Sequence, residues 1–318
     1  MIAFVTGGSG FVGRNLIRGL VARGEDVRAL ARSDKSTAAV EALGAKGVKG
    51  DLDDVAAMTA GMKGATVVFH AAARTDLAGT REDFHRVTVV GTENALAAAR
   101  AAGVRRFVHI GTEAVLAEGK PIIRADETRP RAAKPAGFYP WSKGLAEAAV
   151  IAASREGLET VVVRPRFVWG RDDTSVLPNI IKMVKSGKFR WIAGGHYLTS
   201  TCHVGNVVEG ALLAADKGKP GEIYFLSDGD PVELRVFLTD LLRASGVDPG
   251  DRKVPRWGAR LGAALTGWMK HPMITKSELA LFGVEVTVVD AKARRELGYR
   301  GSITIEAGLA ELREKTAA

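Results

Sequence analysis

The chain has 318 residues, a length that allows one large domain or two coupled lobes around a sizeable core. Hydrophobic residues make up 46% of the chain and charged residues 25%, which excludes intrinsic disorder. The single cysteine, Cys202, excludes an internal disulfide and a cysteine-based zinc site, and no metal is expected.

Lys and Arg number 45 against 36 Asp and Glu, so the net charge is +9. This charge suits a polyanionic partner or a phosphate-bearing cofactor. The basic residues are scattered and are not interleaved with aromatic residues, so no nucleic-acid partner is predicted. The N-terminus has no signal-peptide pattern, and no window approaches the ~18 apolar residues of a membrane span. A cytoplasmic protein without an integral membrane segment is therefore expected.

Up to about residue 230, short apolar runs alternate with segments of helical periodicity. Strands are predicted at 2–6, 27–31, 47–50, 66–70, 107–111, 160–164 and 222–226. Helices are predicted at 11–23, 88–102, 142–156 and 204–217, with Gly24 and Gly103 at two helix ends. Repeated strand–helix–strand units predict an α/β fold with a doubly wound parallel sheet, the Rossmann fold.

The pattern changes after about residue 170, where a smaller C-terminal lobe is predicted to be woven into the main domain. We expect an NAD(P)-binding domain at 1–170 plus 204–226, and a substrate-binding lobe at 171–203 plus 227–318. Within this lobe a helix is predicted at 231–243, with Asp230 as its N-cap.

A glycine-rich segment, TGGSGFVG at residues 6–13, follows the first predicted strand and opens the first predicted helix. The pyrophosphate of a dinucleotide must approach the backbone closely there, where a side chain would block it. A flexible turn is the simpler interpretation, but the strand–turn–helix context predicts dinucleotide binding. The predicted contacts are Gly7, Gly10, Phe11, Val12 and Gly13.

The position that distinguishes NAD from NADP lies about twenty residues beyond the last glycine. An acidic residue there would bind the ribose 2′-hydroxyl of NAD, but the sequence has Arg32 followed by Ser33. A guanidinium can hold a 2′-phosphate through two hydrogen bonds, and Ser33 could add a contact. NADP(H) is therefore favoured, with NAD(H) as the alternative.

Tyr139 and Lys143 are four residues apart, a spacing that places both side chains on one face of a helix. If the pair has only a structural role, Tyr139 is expected to be half-buried and Lys143 to be solvated. Next to a dinucleotide site, however, the pair suits general acid–base catalysis, because an ammonium group favours the phenolate. Lys143 could also hydrogen-bond the nicotinamide ribose.

Further motifs follow in order: Asp51-Leu52, HAAA at 70–73, Thr112 after the fifth long strand, and RPRFVWG at 164–170. With the glycine segment and the Tyr139/Lys143 pair, this order resembles the extended (atypical) short-chain dehydrogenase/reductases, which include the NAD-dependent epimerases and dehydratases. The resemblance spans nearly the whole chain. It implies cofactor contacts from Asp51 and Leu52 at the adenine, Ala71, Ala72 and Ala73 behind the nicotinamide ribose, and Pro165, Phe167 and Val168 at the carboxamide.

The resemblance also implies that Thr112 polarises the substrate oxygen, so the predicted catalytic residues are Thr112, Tyr139 and Lys143. One departure concerns the family phrase N-x-x-G-T, which is TVVGT at residues 88–92. Thr88 replaces the asparagine, which puts in doubt any proton relay or bracing of the lysine from this position.

Two C-terminal phrases, TCHVGNVV at 201–208 and GEIYFLSDGDPV at 221–232, resemble the 3β-hydroxysteroid dehydrogenase/sterol dehydrogenase branch. This branch implies interconversion of a secondary alcohol and a ketone on a hydrophobic, steroid-like small molecule. His203 is predicted to be structural rather than catalytic.

Three other functions were weighed. A nucleotide-sugar epimerase would use the same Tyr/Lys pair, with Arg235 and Arg252 available to hold a diphosphate. A dehydratase is disfavoured, because Glu113-Ala114 follows Thr112 where dehydratases have an Asp-Glu pair. A non-catalytic NADP sensor is also disfavoured, because such sensors usually lose the Tyr/Lys pair.

Residues 255–282 are apolar with basic residues among them. They suit either the core of the lobe or the mouth of a site for a lipophilic substrate, with peripheral contact to an anionic membrane. Family members commonly dimerise through the helices after the fourth and fifth strands, so a homodimer through 88–102 and 142–153 is expected.

Overall fold

The computed structural model describes residues 1–75, 79–266 and 274–317. The strands are β1 (Ile2–Thr6), β2 (Asp26–Ala31), β3 (Lys46–Lys49), β4 (Val67–His70), β5 (Arg106–Ile110), β6 (Ile122–Ala125), β7 (Glu159–Pro165), β8 (Val168–Trp169), β9 (Trp191–Ile192), β10 (Leu198–Thr199), β11 (Cys202–His203), β12 (Ile223–Leu226), β13 (Val232–Glu233), β14 (Lys253–Val254) and β15 (Val286–Val288).

The helices are α1 (Phe11–Ala22), α2 (Asp34–Glu41), α3 (Val55–Met62), α4 (Arg81–Phe84), α5 (Gly91–Ala101), α6 (Phe138–Arg155), α7 (Val176–Lys185), α8 (Val204–Lys217), α9 (Leu234–Ala244), α10 (Arg256–Thr266), α11 (Lys276–Phe282), α12 (Ala291–Leu297) and α13 (Ile305–Ala317). A π-helical segment, His85–Val90, joins α4 to α5, and 3-10 turns lie at Glu113–Leu116 and Ala193–Gly195. Within the described residues, no helix is both long enough and apolar enough to cross a bilayer.

Seven parallel strands form the central sheet in the order β12-β7-β5-β4-β1-β2-β3. One hydrophobic core lies between this sheet and helices α1 and α8, and the other lies between the sheet and helices α3, α5 and α6. Helices thus cover both faces, which confirms the predicted doubly wound Rossmann fold. From β1 the strand order continues through β2 to β3 in one direction, and from β4 it continues through β5 and β7 to β12 in the other. This reversal opens a crevice at the carboxyl ends of β1 and β4.

The predicted strands of the main sheet agree with the structure to within one residue at each end. Gly24 and Gly103 follow helices with φ angles of 74° and 68°, the left-handed conformation that glycine adopts without strain. The N-cap prediction for Asp230 is wrong. Residues Val232–Glu233 pair with β10 as an extended strand, so α9 begins only at Leu234, with Glu233 as its N-cap.

A second sheet of four strands has the order β13-β10-β15-β6. β6 falls inside the segment predicted to belong to the NAD(P)-binding domain, yet it pairs with β15 near the other end of the chain. The predicted domain boundaries remain a prediction, and the structure adds that β6 belongs to the smaller sheet.

Candidate active site

A cleft of about 440 Å³ opens at the carboxyl ends of β1 and β4 and extends toward α11. Its walls include the predicted residues Gly7, Gly10, Phe11, Val12, Gly13, Arg32, Asp51, Leu52, Ala71, Ala72, Ala73, Thr112, Tyr139, Lys143, Pro165, Phe167 and Val168. The fold therefore brings together predicted residues that are as far apart in the sequence as Gly7 and Val168. Ser33 is the predicted site residue that does not line this cleft.

The glycine segment makes a tight turn between β1 and α1. Gly7 has a φ of 71°, and the Gly10 N–H donates to the Gly7 carbonyl at 2.9 Å. A Cβ atom at Gly13 would lie 2.1 Å from the Gly7 carbonyl oxygen, so only glycine fits there. Gly10 is the N-cap of α1 and no side chain caps the helix. The first N–H groups of α1 are thereby left to bind an anionic ligand.

One end of the cleft, where the adenine is predicted to bind, is formed by the segments that follow β2 and β3. Arg32 is exposed directly after β2, and Asp51 accepts the Leu52 N–H through its own carboxylate. Ser33 instead caps α2, with its hydroxyl accepting the Ser36 N–H at 3.3 Å. The prediction that Ser33 contacts the cofactor finds no support in this geometry, because its oxygen serves the helix.

The Ala71–Ala73 segment forms the cleft wall after β4, and small side chains keep that wall thin. Thr6 fixes it from β1: its carbonyl accepts the Ala71 N–H, and its hydroxyl accepts the Ala72 N–H. The Thr6 hydroxyl also bonds the buried His70 ring at 2.8 Å. β1 and β4 are therefore tied together directly beneath the cleft.

Tyr139 and Lys143 lie one turn apart at the start of α6, which begins at Phe138 and so includes both residues. The buried Lys143 ammonium donates to the Ile110 carbonyl at 2.7 Å. Burial lowers the pKa of Lys143 to about 8, and the charge of Glu147 opposes this shift. Glu147 is itself held by two short hydrogen bonds from Arg164 at 2.6 and 2.7 Å.

Burial raises the pKa of Tyr139 to about 12, and the negative charge of Glu113 adds to this shift. The Arg166 guanidinium acts in the opposite direction. Without a bound cofactor, Tyr139 is thus a neutral phenol, which can act as a hydrogen-bond donor in the cleft.

The segment after β7 forms the opposite wall of the cleft. Phe167 has a φ of 42°, a left-handed conformation that costs energy for a residue with a side chain. Its ring packs edge-on against Phe237 and Phe282, which hold it in place. Pro165 and Val168, on either side of this segment, also line the cleft.

Several residues that line the cleft were missed by the sequence analysis. They are Ser9, Leu30, Gly50, Thr75, Val87, Ile110, Gly111, Glu113, Arg166, Thr174, Ser175 and Val176. Glu113 and Arg166 could have been noticed as charged residues beside strand ends at the carboxyl edge of the sheet. Leu281 and Phe282 of α11 also line the cleft, and they belong to the apolar segment 255–282, for which the mouth of a lipophilic site was one of two interpretations.

The cleft is not lined by His203, or by Arg235 and Arg252, the two arginines that an epimerase could use to hold a diphosphate. His203 is buried at the end of β11, and its Nδ1 accepts the Gly205 N–H as the N-cap of α8, as a structural residue would. Arg235 bonds Asp251 and the Gly194 carbonyl, and Arg252 bonds the Gly187 carbonyl. The arginines expected of a nucleotide-sugar site are therefore not available in the cleft.

Thr88 occupies the family's asparagine position and lies in the π-helical segment. Its hydroxyl accepts the Arg74 N–H at 3.1 Å, and its carbonyl accepts the Thr92 hydroxyl at 2.6 Å. Thr92 also bonds the His70 ring at 3.0 Å. Thr88 thus braces the wall after β4 rather than Lys143, whose recorded partner is Ile110.

The cleft suits a nicotinamide dinucleotide. An added Cβ at Gly7 or Gly13 would collide with the backbone of Ala72 or of Gly7, so the tight turn requires glycine at both positions. The uncapped N-terminus of α1 follows this turn and offers its N–H groups to a phosphate. Arg32 and Asp51 lie at one end of the cleft, and Tyr139 and Lys143 lie at the other. This arrangement is that of a nicotinamide-dependent oxidoreductase of the extended short-chain dehydrogenase/reductase class.

Comparison with known proteins narrows the class to a family. Residues 4–256 match the 3-beta hydroxysteroid dehydrogenase/isomerase family, and the chain belongs to that family. The crystal structure of gox2253 shares 29% identity with a TM-score of 0.79, covering 99% of this chain and 98% of that chain. A UDP-glucose 4-epimerase from Thermotoga maritima has the same TM-score at 20% identity, covering 100% and 98%, and shares the fold.

Two relatives are similar over nearly their whole length. A 4-hydroxy-2-methyl-3-oxo-4-farnesyl-3,4-dihydroquinoline-1-oxide ketoreductase of Stigmatella aurantiaca is 49% identical, over 99% of this chain and 96% of the relative. A 2-alkyl-3-oxoalkanoate reductase of Stenotrophomonas maltophilia is 32% identical, over the full length of both proteins. The predicted membership of the extended short-chain class, close to the 3β-hydroxysteroid dehydrogenase branch, is confirmed.

Proposed function

We propose that the chain is an NADP(H)-preferring ketoreductase that interconverts a ketone and a secondary alcohol on a hydrophobic, steroid-like or prenylated molecule. The observation that carries this proposal is the convergence of Thr112, Tyr139 and Lys143 in one cleft with the apolar residues of α11. The relatives named for ketone reduction on farnesyl- and alkyl-bearing substrates support the same reaction.

The buried phenol of Tyr139 donates its proton to the carbonyl oxygen during reduction and takes a proton back during oxidation. The Lys143 ammonium, one turn away, stabilises the phenolate that reduction leaves behind. A nicotinamide bound in the cleft supplies or accepts the hydride, and its oxidised ring adds a positive charge that favours the phenolate. Thr112 contacts the reacting oxygen from the end of β5.

The outer part of the cleft sets the substrate class in this proposal. Val176, Leu281 and Phe282 supply apolar surface there. Leu281 is buried, and Phe282 packs on Phe167. A substrate with a large hydrocarbon part would bury that part against these side chains, whereas a nucleotide diphosphate would not meet Arg235 or Arg252, which do not line the cleft.

The deciding experiment is a panel of steroid ketones, prenylated and long-chain ketones and nucleotide sugars, assayed by nicotinamide absorbance with NADPH and NADH. Turnover of hydrophobic ketones with NADPH is expected. Conversion of a nucleotide sugar without net cofactor turnover would favour the epimerase. Cofactor binding without turnover of any compound would favour the sensor.

Peripheral contact with an anionic membrane is part of the proposal, and a cytoplasmic location remains a prediction. In α10, Trp257, Leu261 and Leu265 recur every fourth residue and are 70%, 51% and 63% exposed. The exposed Arg260 lies in the same helix, and α10 packs against α11 at the cleft. Trp268, Met269, Lys270 and Met273 of the predicted apolar segment lie outside the described residues.

Vesicle flotation tests this contact. The chain should float with phosphatidylglycerol vesicles and less with phosphatidylcholine vesicles, and Trp257→Ala/Leu261→Ser should remove flotation. Val236→Ser, at a residue 56% exposed in α9, is the matched control and should float like the wild type. Absence of flotation with anionic vesicles would reject this contact and leave the ketoreductase proposal intact.

A homodimer is also proposed, through the outer faces of α5 and α6. Leu145 and Phe138 of α6 are 40% and 44% exposed, and the Arg81 guanidinium stacks on Trp141 beside them. Light scattering after size exclusion should give twice the chain mass, and Leu145→Glu should halve that mass. Leu198→Glu, at a residue 44% exposed elsewhere, should leave the dimer intact. A monomeric wild type would contradict the proposal.

A further inference from the structure

Beside the three predicted catalytic residues lies a buried ion pair that the reaction described above does not use. The side chains of Glu113 and Arg166 are each 3% exposed, and the two residues join at 2.9 Å between Oε1 and Nη1. Both residues line the cleft. Arg166 also donates through Nη2 to the Leu281 carbonyl of α11 at 2.6 Å and to the Thr199 hydroxyl at 3.2 Å.

The second oxygen of the carboxylate reaches the site directly. The Thr112 hydroxyl donates to Glu113 Oε2 at 2.9 Å, and the Thr112 oxygen accepts the Ala114 N–H at 3.2 Å. A hydroxyl group has one proton, so a proton given to Glu113 is not available to any other acceptor. Toward Tyr139 and the reacting oxygen, Thr112 can then offer only a lone pair.

We propose that Glu113 is a positioning residue that directs the Thr112 proton away from the reacting carbonyl, and that Arg166 holds Glu113 in this role. The inference rests on the proposed function and deepens it. A ketone oxygen has no proton to donate, so its hydrogen bond comes from Tyr139 alone. Thr112 therefore contacts the reacting oxygen when the substrate is an alcohol, because the substrate hydroxyl can then donate a hydrogen bond to the Thr112 oxygen.

The pair also places a negative charge beside the phenol. The ionisable groups that act on Tyr139 from neighbouring elements are Glu113, which favours the neutral phenol, and Arg166, which favours the phenolate more weakly. Lys143 lies one turn further along the same helix. Replacing Glu113 by a neutral residue should therefore lower the pKa of Tyr139.

The experiment measures the ionisation of Tyr139 itself, which requires no substrate. The phenolate absorbance of the wild type, with NADP⁺ bound, is titrated between about pH 6 and pH 10 and corrected with Tyr139→Phe. Glu113→Gln should lower the midpoint by about one pH unit, the size expected for removing one nearby like charge. The pH profile of alcohol oxidation by Glu113→Gln should move in the same direction. Glu118→Gln, at an exposed residue, is the control and should leave the midpoint unchanged.

Glu113→Gln leaves Arg166 buried without its carboxylate, which can prevent folding. The double variant Glu113→Gln/Arg166→Met removes both charges and should fold. Its midpoint should still lie below that of the wild type, because the effect of Glu113 is the larger. The inference would be overturned if the wild type and the folded variant titrated with the same midpoint. It would also be overturned if neither protein showed a phenolate transition. A substrate panel without turnover would instead reject the proposed function and leave this titration standing.

Discussion

Burial and the nearby negative charge of Glu113 raise the pKa of Tyr139, so loss of its proton requires help from positive charge. In the proposed reaction, Lys143 supplies part of that charge. Its ammonium group donates a hydrogen bond to the Ile110 carbonyl, and Arg164 pairs with the nearby Glu147. At the scale of single residues, the proposed chemistry therefore rests on the Tyr139 phenol, and the proposed NADP preference rests on Arg32.

Tyr139→Phe removes the proton donor while keeping the ring. Turnover in the ketone assay should fall by at least about 10²-fold, as loss of general acid–base catalysis implies. NADPH affinity, measured by fluorescence titration, should stay within a few-fold of the wild type. Tyr224→Phe, on β12 outside the cleft, should keep wild-type turnover. Unchanged turnover in Tyr139→Phe would reject the catalytic assignment.

Arg32→Ala removes the guanidinium at the end of the cleft near β2. NADPH should bind at least about tenfold more weakly, because a charge-assisted contact to the 2′-phosphate is lost, while NADH binding should change little. Lys46→Ala removes an equal charge at the amino end of β3, where Lys46 pairs with Arg28 away from the carboxyl edge of the sheet, and should affect neither cofactor. Equal losses for NADPH and NADH in Arg32→Ala would refute the NADP preference.

At the scale of elements, the β1–turn–α1 unit is the most tightly constrained part of the site. The turn brings the Gly7 carbonyl against Gly13 of α1, and the Ala72 backbone lies close on the other side of Gly7. The helix N-terminus and the wall after β4 are thereby held at fixed positions. A ligand bound there meets a backbone surface with no side chain between.

Gly13→Ala tests this constraint. Its Cβ would lie 2.1 Å from the Gly7 carbonyl oxygen, so the turn must open. The free energy of unfolding in urea should fall by about 1–3 kcal/mol, the usual cost of overpacking, and NADPH affinity should fall as well. Gly262→Ala in α10, where an added Cβ meets nothing within 4 Å, should cost nothing. A fully stable Gly13→Ala that binds NADPH normally would contradict the described turn.

At the scale of the whole molecule, two stacked histidines in the central sheet link stability to pH. His70 and His109 lie on β4 and β5 with ring centroids 5.5 Å apart. Burial, with the charge of Lys143, lowers the pKa of His70 to about 3 and that of His109 well below its ordinary value. Both rings are therefore neutral in the folded protein at pH 5, whereas the unfolded chain binds protons there.

Stability should consequently fall as pH drops from about 6.5 toward 3, because the unfolded state binds more protons. Each buried neutral histidine contributes a slope of about 1.4 kcal/mol per pH unit. Both nitrogens of His109 lack a hydrogen-bond partner among the described residues. His109→Phe should therefore lose no bond at pH 7 and should reduce the acid slope of the urea unfolding free energy. An unchanged slope would show that His109 already binds a proton when folded.

Local patterns in the sequence determined the central sheet, the glycine turn and the Tyr139/Lys143 pair. Apolar runs buried on both faces, glycine spacing and helical spacing act over a few residues, so each can be read without knowing the rest of the fold. The tertiary structure decided what joins distant segments: the place of β6 in the second sheet, α11 over the cleft and the Glu113–Arg166 pair beneath Tyr139. These depend on contacts between residues far apart in the chain, and burial decides which charged side chains meet there.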